Sequence, residues 1–113
     1  MKYVLLFVDT EEFVADLAAK DPDDRARAYA QVDAWMADNA ARIRGGAKLR
    51  GPETATTVRL GGDAPVVTDG PFIEGKEVVS GYLEIDVPDL DAALGMVKDW
   101  PGCPVVEIRP LES

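Results

Sequence analysis

Six successive apolar residues, Tyr3-Val4-Leu5-Leu6-Phe7-Val8, stand almost at the start of the chain. β-branched and aromatic side chains favour a strand here. The lack of polar alternation makes it a central strand covered on both faces. The run falls far short of the roughly 20 apolar residues of a membrane span. It also lacks the longer apolar stretch and small-residue cleavage site of a signal peptide. A cytoplasmic protein is therefore expected. The chain has 113 residues, the size of one domain. A doubly wound nucleotide fold or a (β/α)₈ barrel does not fit that length. A small chain must therefore find cover for both sides of one sheet.

The remaining elements follow from spacing. Asp21 can cap a helix, Pro22 suits its first position, and Asp23 and Asp24 favour its positive end. Tyr29, Val32, Met36 and Ile43 then recur at helical spacing, with Trp35 beside them. With Gly45-Gly46 as its stop, this helix is predicted over residues 22–44. Trp35, Tyr29 and Met36 are assigned to the core. Residues 11–20 are read as a short preceding helical turn, and 47–50 as a short strand. Residues 54–60 and 64–68 flank the turn Gly61-Gly62-Asp63 and are read as a β-hairpin. Leu83, Ile85 and Val87 alternate with Tyr82, Glu84 and Asp86 in a strand over 78–87. Asp89 can cap a second helix with Leu90, Ala93, Leu94 and Val97 on one face, stopped by Pro101-Gly102. A last strand is read over 105–109. Setting the hairpin aside leaves an α+β chain in the ferredoxin-like order βαββαβ, with a β-hairpin inserted. Its helices cover one sheet face, and Tyr82, Glu84, Glu107, Arg109 and Arg59 are expected on the other.

The reactive inventory is narrow. There is no histidine and one cysteine, Cys103. Ser-His and Cys-His pairs, His-ligated haem and His-built metal sites are thereby excluded. No metal ligand set and no cofactor are expected. Acid–base work falls to Asp, Glu, Lys, Tyr or the thiol. Cys103 lies in Trp100-Pro101-Gly102-Cys103-Pro104 and is read as a chance loop thiol, since a reactive one needs nearby positive charge. The net charge is −9. An acidic surface repels phosphate, so nucleic acid and anionic membranes are not expected partners.

Thr68-Asp69-Gly70-Pro71-Phe72-Ile73-Glu74-Gly75-Lys76-Glu77 carries the chain's most distinctive pattern. Physically, Asp-Gly-Pro is a turn, and Phe72 would plant the loop on the core. The segment resembles the signature of the YCII-related proteins, in the branch known by its Asp-Gly-Pro-Phe motif. The resemblance extends from Met1-Lys2-Tyr3 through Ala55-Thr56-Thr57-Val58-Arg59. It resumes at Gly81-Tyr82 and Ile85-Asp86-Val87-Pro88-Asp89-Leu90, and ends in Val106-Glu107-Ile108-Arg109-Pro110-Leu111. It implies a dimeric α+β barrel, in which two such sheets pack face to face. It also implies a link to sigma-factor genes. The His-Asp pair proposed as catalytic in the YCII branch has no counterpart in a chain without histidine.

Candidate site residues each have two readings. Asp69 is a general base or ligand carboxylate, or else the side chain that shapes its own turn. Lys76 is a catalytic or anion-binding lysine, or the partner of Glu74 or Glu77 in a surface pair. Glu107 and Arg109 are charged ligand contacts on a pocket floor, or an ion pair at a subunit interface. Tyr82 lines a pocket or packs as a plain aromatic. Arg59 completes the ligand-binding set. Two functions fit these residues. One is a homodimer that binds or transforms a small molecule between the sheet and residues 69–77. The other is a non-enzymatic accessory or regulatory protein that recognises a protein partner, such as a sigma factor.

Overall fold

The computed structural model describes residues 1–72 and 75–112. The elements in chain order are β1 (Lys2–Thr10), α1 (Glu11–Ala19), α2 (Pro22–Asp38), β2 (Ile43–Lys48), β3 (Thr56–Arg59), β4 (Val66–Asp69), β5 (Glu77–Asp86), α3 (Leu90–Lys98) and β6 (Val105–Pro110). Four strands form one antiparallel sheet in the order β2-β5-β1-β6, and β3 pairs with β4 in a separate two-stranded sheet. The four-stranded order is compatible with a ferredoxin-like fold.

Each helix starts where a side chain can satisfy its free amides. Thr10, Asp21 and Asp89 accept hydrogen bonds from Phe13, Asp24 and Ala92 respectively. The corner between α1 and α2 is closed by Arg25. Its guanidinium donates to the carbonyls of Leu17, Ala18 and Lys20 at 3.3, 3.0 and 2.8 Å. Residues 11–19 thus form a full helix rather than a single turn.

The second helix ends six residues before its predicted limit, at Asp38 rather than Arg44. Asn39 is the cause. Its buried side chain donates to the Trp35 carbonyl at 2.9 Å, beside the last helical bond from its own amide at 3.1 Å, and accepts from Arg42 at 2.8 Å, so the chain is held in a turn over 39–42. Ile43 through Lys48 then pair with β5, so Gly45-Gly46 lie inside a strand. At Gly46 φ is +150°, and a Cβ there would come within 2.3 Å of the Tyr82 carbonyl oxygen. The glycine pair therefore permits close approach of two strands rather than stopping a helix.

Alternation along β1 sends Tyr3, Leu5 and Phe7 toward the helices, where all three are buried. Leu83, Ile85, Trp35, Ala93 and Met96 complete that core. Trp35 also donates its indole N–H to the Met96 carbonyl at 3.0 Å, tying α2 to α3. Phe7, Trp35 and Trp100 form an aromatic cluster with centroids 4.5 to 6.5 Å apart. On the opposite side, cross-strand pairing places Val4, Leu6, Val8, Tyr82, Glu84, Glu107 and Arg109 together. No described element covers that face.

Candidate functional site

A cavity of about 430 Å³ opens on the helix side of the sheet, beneath α1 and α2. Its floor exists because the inner-face positions of the strands carry little bulk. Gly46 pairs with Leu83, and Gly81 pairs with both Lys48 and Phe7. Its roof is the apolar stripe of the helices, including Val14, Leu17, Tyr29, Val32 and Met36. Tyr29 is 52% exposed, so it borders the cavity instead of filling the core as its spacing suggested.

The polar groups of the wall lie at the end of β1. A register shift between Phe7 and Val8 leaves Ser80 unpaired in the ladder. Alternation along β1 puts Asp9 on the same face as Phe7, toward the cavity, and the Ser80 hydroxyl lies 3.0 Å from an Asp9 carboxylate oxygen. The same hydroxyl is 3.3 Å from the Phe7 carbonyl, so one proton serves two acceptors. Cys103 lines the far wall and is buried. Burial pushes its thiol above the ordinary value, and the nearby Asp9 charge adds to this, although the Trp100 indole favours the thiolate. The thiol is thus held in its less nucleophilic form. Trp100 carries a buried indole N–H without an oxygen partner.

A wider cleft of about 1030 Å³ adjoins this cavity. The two share Asp9, Val14, Lys48 and Ser80 in their walls. The cleft runs past Arg50 and Glu53 to Gly75 and Lys76.

The residues singled out from the sequence lie in three places: the open sheet face, the outer cleft and the β3–β4 hairpin. Tyr82 sits on the strand that floors the cavity, but alternation puts its ring on the open face opposite Leu6. Lys76 lines the outer cleft, and its carbonyl accepts from the Glu11 amide at 3.0 Å. Glu107 and Arg109 form a 2.9 Å ion pair on β6, on the open face. Asp69 and Arg59 belong to the β3–β4 hairpin. There the Gly70 turn is held by its amide donating to Ala55 at 2.7 Å and by the Thr57 hydroxyl donating to the Gly70 carbonyl at 2.7 Å. Arg59 donates to the Phe72 carbonyl at 3.2 Å. Phe72 is 68% exposed and does not plant this loop on the core. Of the two expected partners of Lys76, Glu77 forms no ion pair with it, and Glu74, like Ile73, lies outside the described residues. Asp9, Ser80 and Lys48 were not anticipated. The signal for them was present as small residues, Gly46 and Gly81, inside two strands.

Among the described residues no three His, Cys, Asp or Glu side chains converge in a metal-binding group. No described helix is long and apolar enough to cross a membrane.

Fold and cavity together define an α+β protein with one helix-covered sheet face and an apolar pocket ending in a carboxylate and a hydroxyl. The chain matches the YCII-related domain over residues 1–111 and belongs to that family. It is 30% identical over 115 residues to an uncharacterised protein of Rhizobium meliloti (strain 1021), covering 98% of this chain and 92% of that one. A solved structure with the same fold is 5-chloro-2-hydroxyhydroquinone dehydrochlorinase from Burkholderia phenoliruptrix AC1100, in complex with 2,5-dihydroxybenzoquinone. Its TM-score is 0.56 at 14% identity, covering 99% of this chain and 94% of that one.

Proposed function

We propose that this protein binds a small, ring-sized apolar molecule in the cavity beneath α1 and α2, with Asp9 and Ser80 orienting its polar end and exchanging a proton with it. The observation that carries this reading is the cavity itself. A helix stripe patterned for a core faces some 430 Å³ of empty space. An open, mostly apolar hollow of this size with a few polar groups is the usual form of a small-molecule site. The carboxylate–hydroxyl pair at its edge supplies the acid–base group that a chain without histidine must draw from elsewhere. The dehydrochlorinase of similar fold was solved with a quinone ring, which agrees with a ring-sized ligand. Two copies joined by their open faces would form a dimeric α+β barrel, with β3–β4 as an insertion between β2 and β5 and the Asp-Gly-Pro-Phe turn at its base. In that arrangement Tyr82, Glu107 and Arg109 belong to the interface, and Asp69 and Arg59 shape the hairpin.

Thermal-shift titration with 2-naphthol and naphthalene tests the binding reading. Both are expected to raise the melting temperature, 2-naphthol more strongly. Saturation at 100-fold excess over Kd adds about 2.7 kcal/mol of stability. Val32→Phe, which fills the cavity from α2, should abolish both shifts. Asp9→Ala should remove the advantage of 2-naphthol alone. Shifts that survive Val32→Phe would place the ligand elsewhere and defeat the proposal.

A further inference from the structure

We infer that the ligand of this site carries an anionic group, with its apolar body in the inner cavity and its anion held in the outer cleft by Lys48, Arg50 and Lys76. This rests on the reading of the inner cavity given above and adds the chemical class of what enters it.

The geometry begins with Lys48. It pairs across the strands with Gly81, so its side chain leaves the sheet on the helix side, over the position where Gly81 has none. Lys48 lies in the walls of both the cavity and the cleft. Its aliphatic stem can border the apolar space while its ammonium reaches the wetter one. Arg50 and Lys76 stand on two further walls of the cleft.

Charge makes this placement informative. The chain has twelve Lys and Arg against twenty-one Asp and Glu. Three of those twelve cations line one cleft. None of the three forms an ion pair or a side-chain hydrogen bond with another described residue. Seven of the other nine are engaged: Arg25 and Arg44 with carbonyls, Arg59 with the Phe72 carbonyl, Arg42 with Asn39, Arg27 with Asp24, Lys2 with Glu84 and Arg109 with Glu107, whereas Lys20 and Lys98 also show no side-chain partner among the described residues. Among the described residues, the acids of the cleft are Asp9, Glu11 and Glu53. Asp9 is bonded to Ser80, and the Glu53 carboxylate folds back over Gly51. Glu11 sits in the first turn of α1, where the helix end favours negative charge. The acids therefore have local roles, whereas the cations are left to meet an incoming anion.

The test uses 2-naphthoate and its neutral isostere 2-naphthamide, measured by calorimetry on the full chain. We expect 2-naphthoate to bind about tenfold more tightly at low salt, the scale of one charge-assisted hydrogen bond. Lys48→Gln and Lys76→Gln should each reduce that preference severalfold, and Lys76→Gln, which lies outside the inner cavity, should leave 2-naphthamide binding unchanged, which also shows that it is folded. Raising the salt should erode the preference. Equal binding of the two probes would overturn the anionic assignment while leaving the apolar cavity as a site. A preference that persists in both lysine variants would overturn it as well. Failure of both probes to bind would defeat this inference and the underlying reading together. Replacing 2-naphthoate with 2-naphthyl phosphate separates a carboxylate from a phosphate as the preferred anion.

Discussion

At Gly46 the absence of one side chain serves both the strand and the cavity. The residue adopts φ +150°, a Cβ would sit 2.3 Å from the Tyr82 carbonyl oxygen, and its backbone forms part of the cavity wall. Its neighbour Gly45 has nothing within 4 Å of the same position and no such φ. The pair therefore separates steric need from mere composition. Gly46→Ala must displace β2 from β5 and is expected to cost about 1–3 kcal/mol. Gly45→Ala is expected to cost nothing measurable, because it gains strand propensity and meets no atom. Urea denaturation checks both. The urea midpoint should fall for Gly46→Ala and hold for Gly45→Ala, with the slope unchanged in each. A neutral Gly46→Ala would mean that β2 can shift without loss. At the same scale, Asp9 was hidden in the sequence because one carboxylate after an apolar run looks like the end of a strand. Only the irregular register at Phe7/Val8, which leaves Ser80 unpaired, brings Asp9 to Ser80.

Elements were legible where local chemistry alone fixes them. α3 follows its cap Asp89, its apolar face and its Pro101-Gly102 stop, and it spans Leu90–Lys98. α2 starts at Asp21-Pro22 as read. Its end was not legible, because the buried Asn39 side chain finds Trp35 and Arg42 only in the folded chain, and Ile43 fits a helical stripe as well as it fits a strand. The cavity was illegible for a related reason. Tyr29, Val32 and Met36 have the spacing of a packed face, and periodicity cannot show whether that face meets another side chain or empty space. The start of α2 carries a pH signature. The Asp24 amide, donating to Asp21 at 2.9 Å, holds the Asp21 carboxyl below its ordinary value of 3.8. A depressed carboxyl means that the unfolded chain binds the proton more readily. Its stabilisation is therefore complete above pH 3.8 and is lost as the pH falls through the lower folded value. Asp21→Asn keeps a capping oxygen and removes the titration. It should melt like the native chain at pH 7 and show a flatter decline in melting temperature below pH 4. Parallel acid limbs for the two proteins would contradict the assignment.

The molecule measures 49 × 43 × 18 Å, and its radius of gyration is 16.3 Å. A compact chain of this length would have a radius of about 13 Å. The thin dimension leaves room for one sheet and one helical layer. The breadth comes with a hairpin that keeps Val58, Leu60, Val66 and Val67 in solvent, each at least 49% exposed. The bare face adds Val4, Leu6 and Val8, only half-buried, and Tyr82 at 41%. The chain's first strand was apolar on both sides, yet helices cover only one. Leaving that much apolar surface in water is unfavourable for so small a domain. A second copy laid face to face would hide it through a self-complementary contact, as two-fold symmetry requires. Charge refines the expectation. Each chain carries −9, so two copies repel, and Glu84 and Glu107 lie on the joining face beside Arg109. Screening should weaken the repulsion more than the apolar attraction. Sedimentation equilibrium at micromolar concentration is expected to give twice 12.2 kDa, with association tightening as salt rises. Tyr82→Glu places a third carboxylate at the centre of the face and should yield a folded monomer that still binds 2-naphthol. A native chain that sediments as a monomer at every salt concentration would leave the bare face without a partner of its own kind.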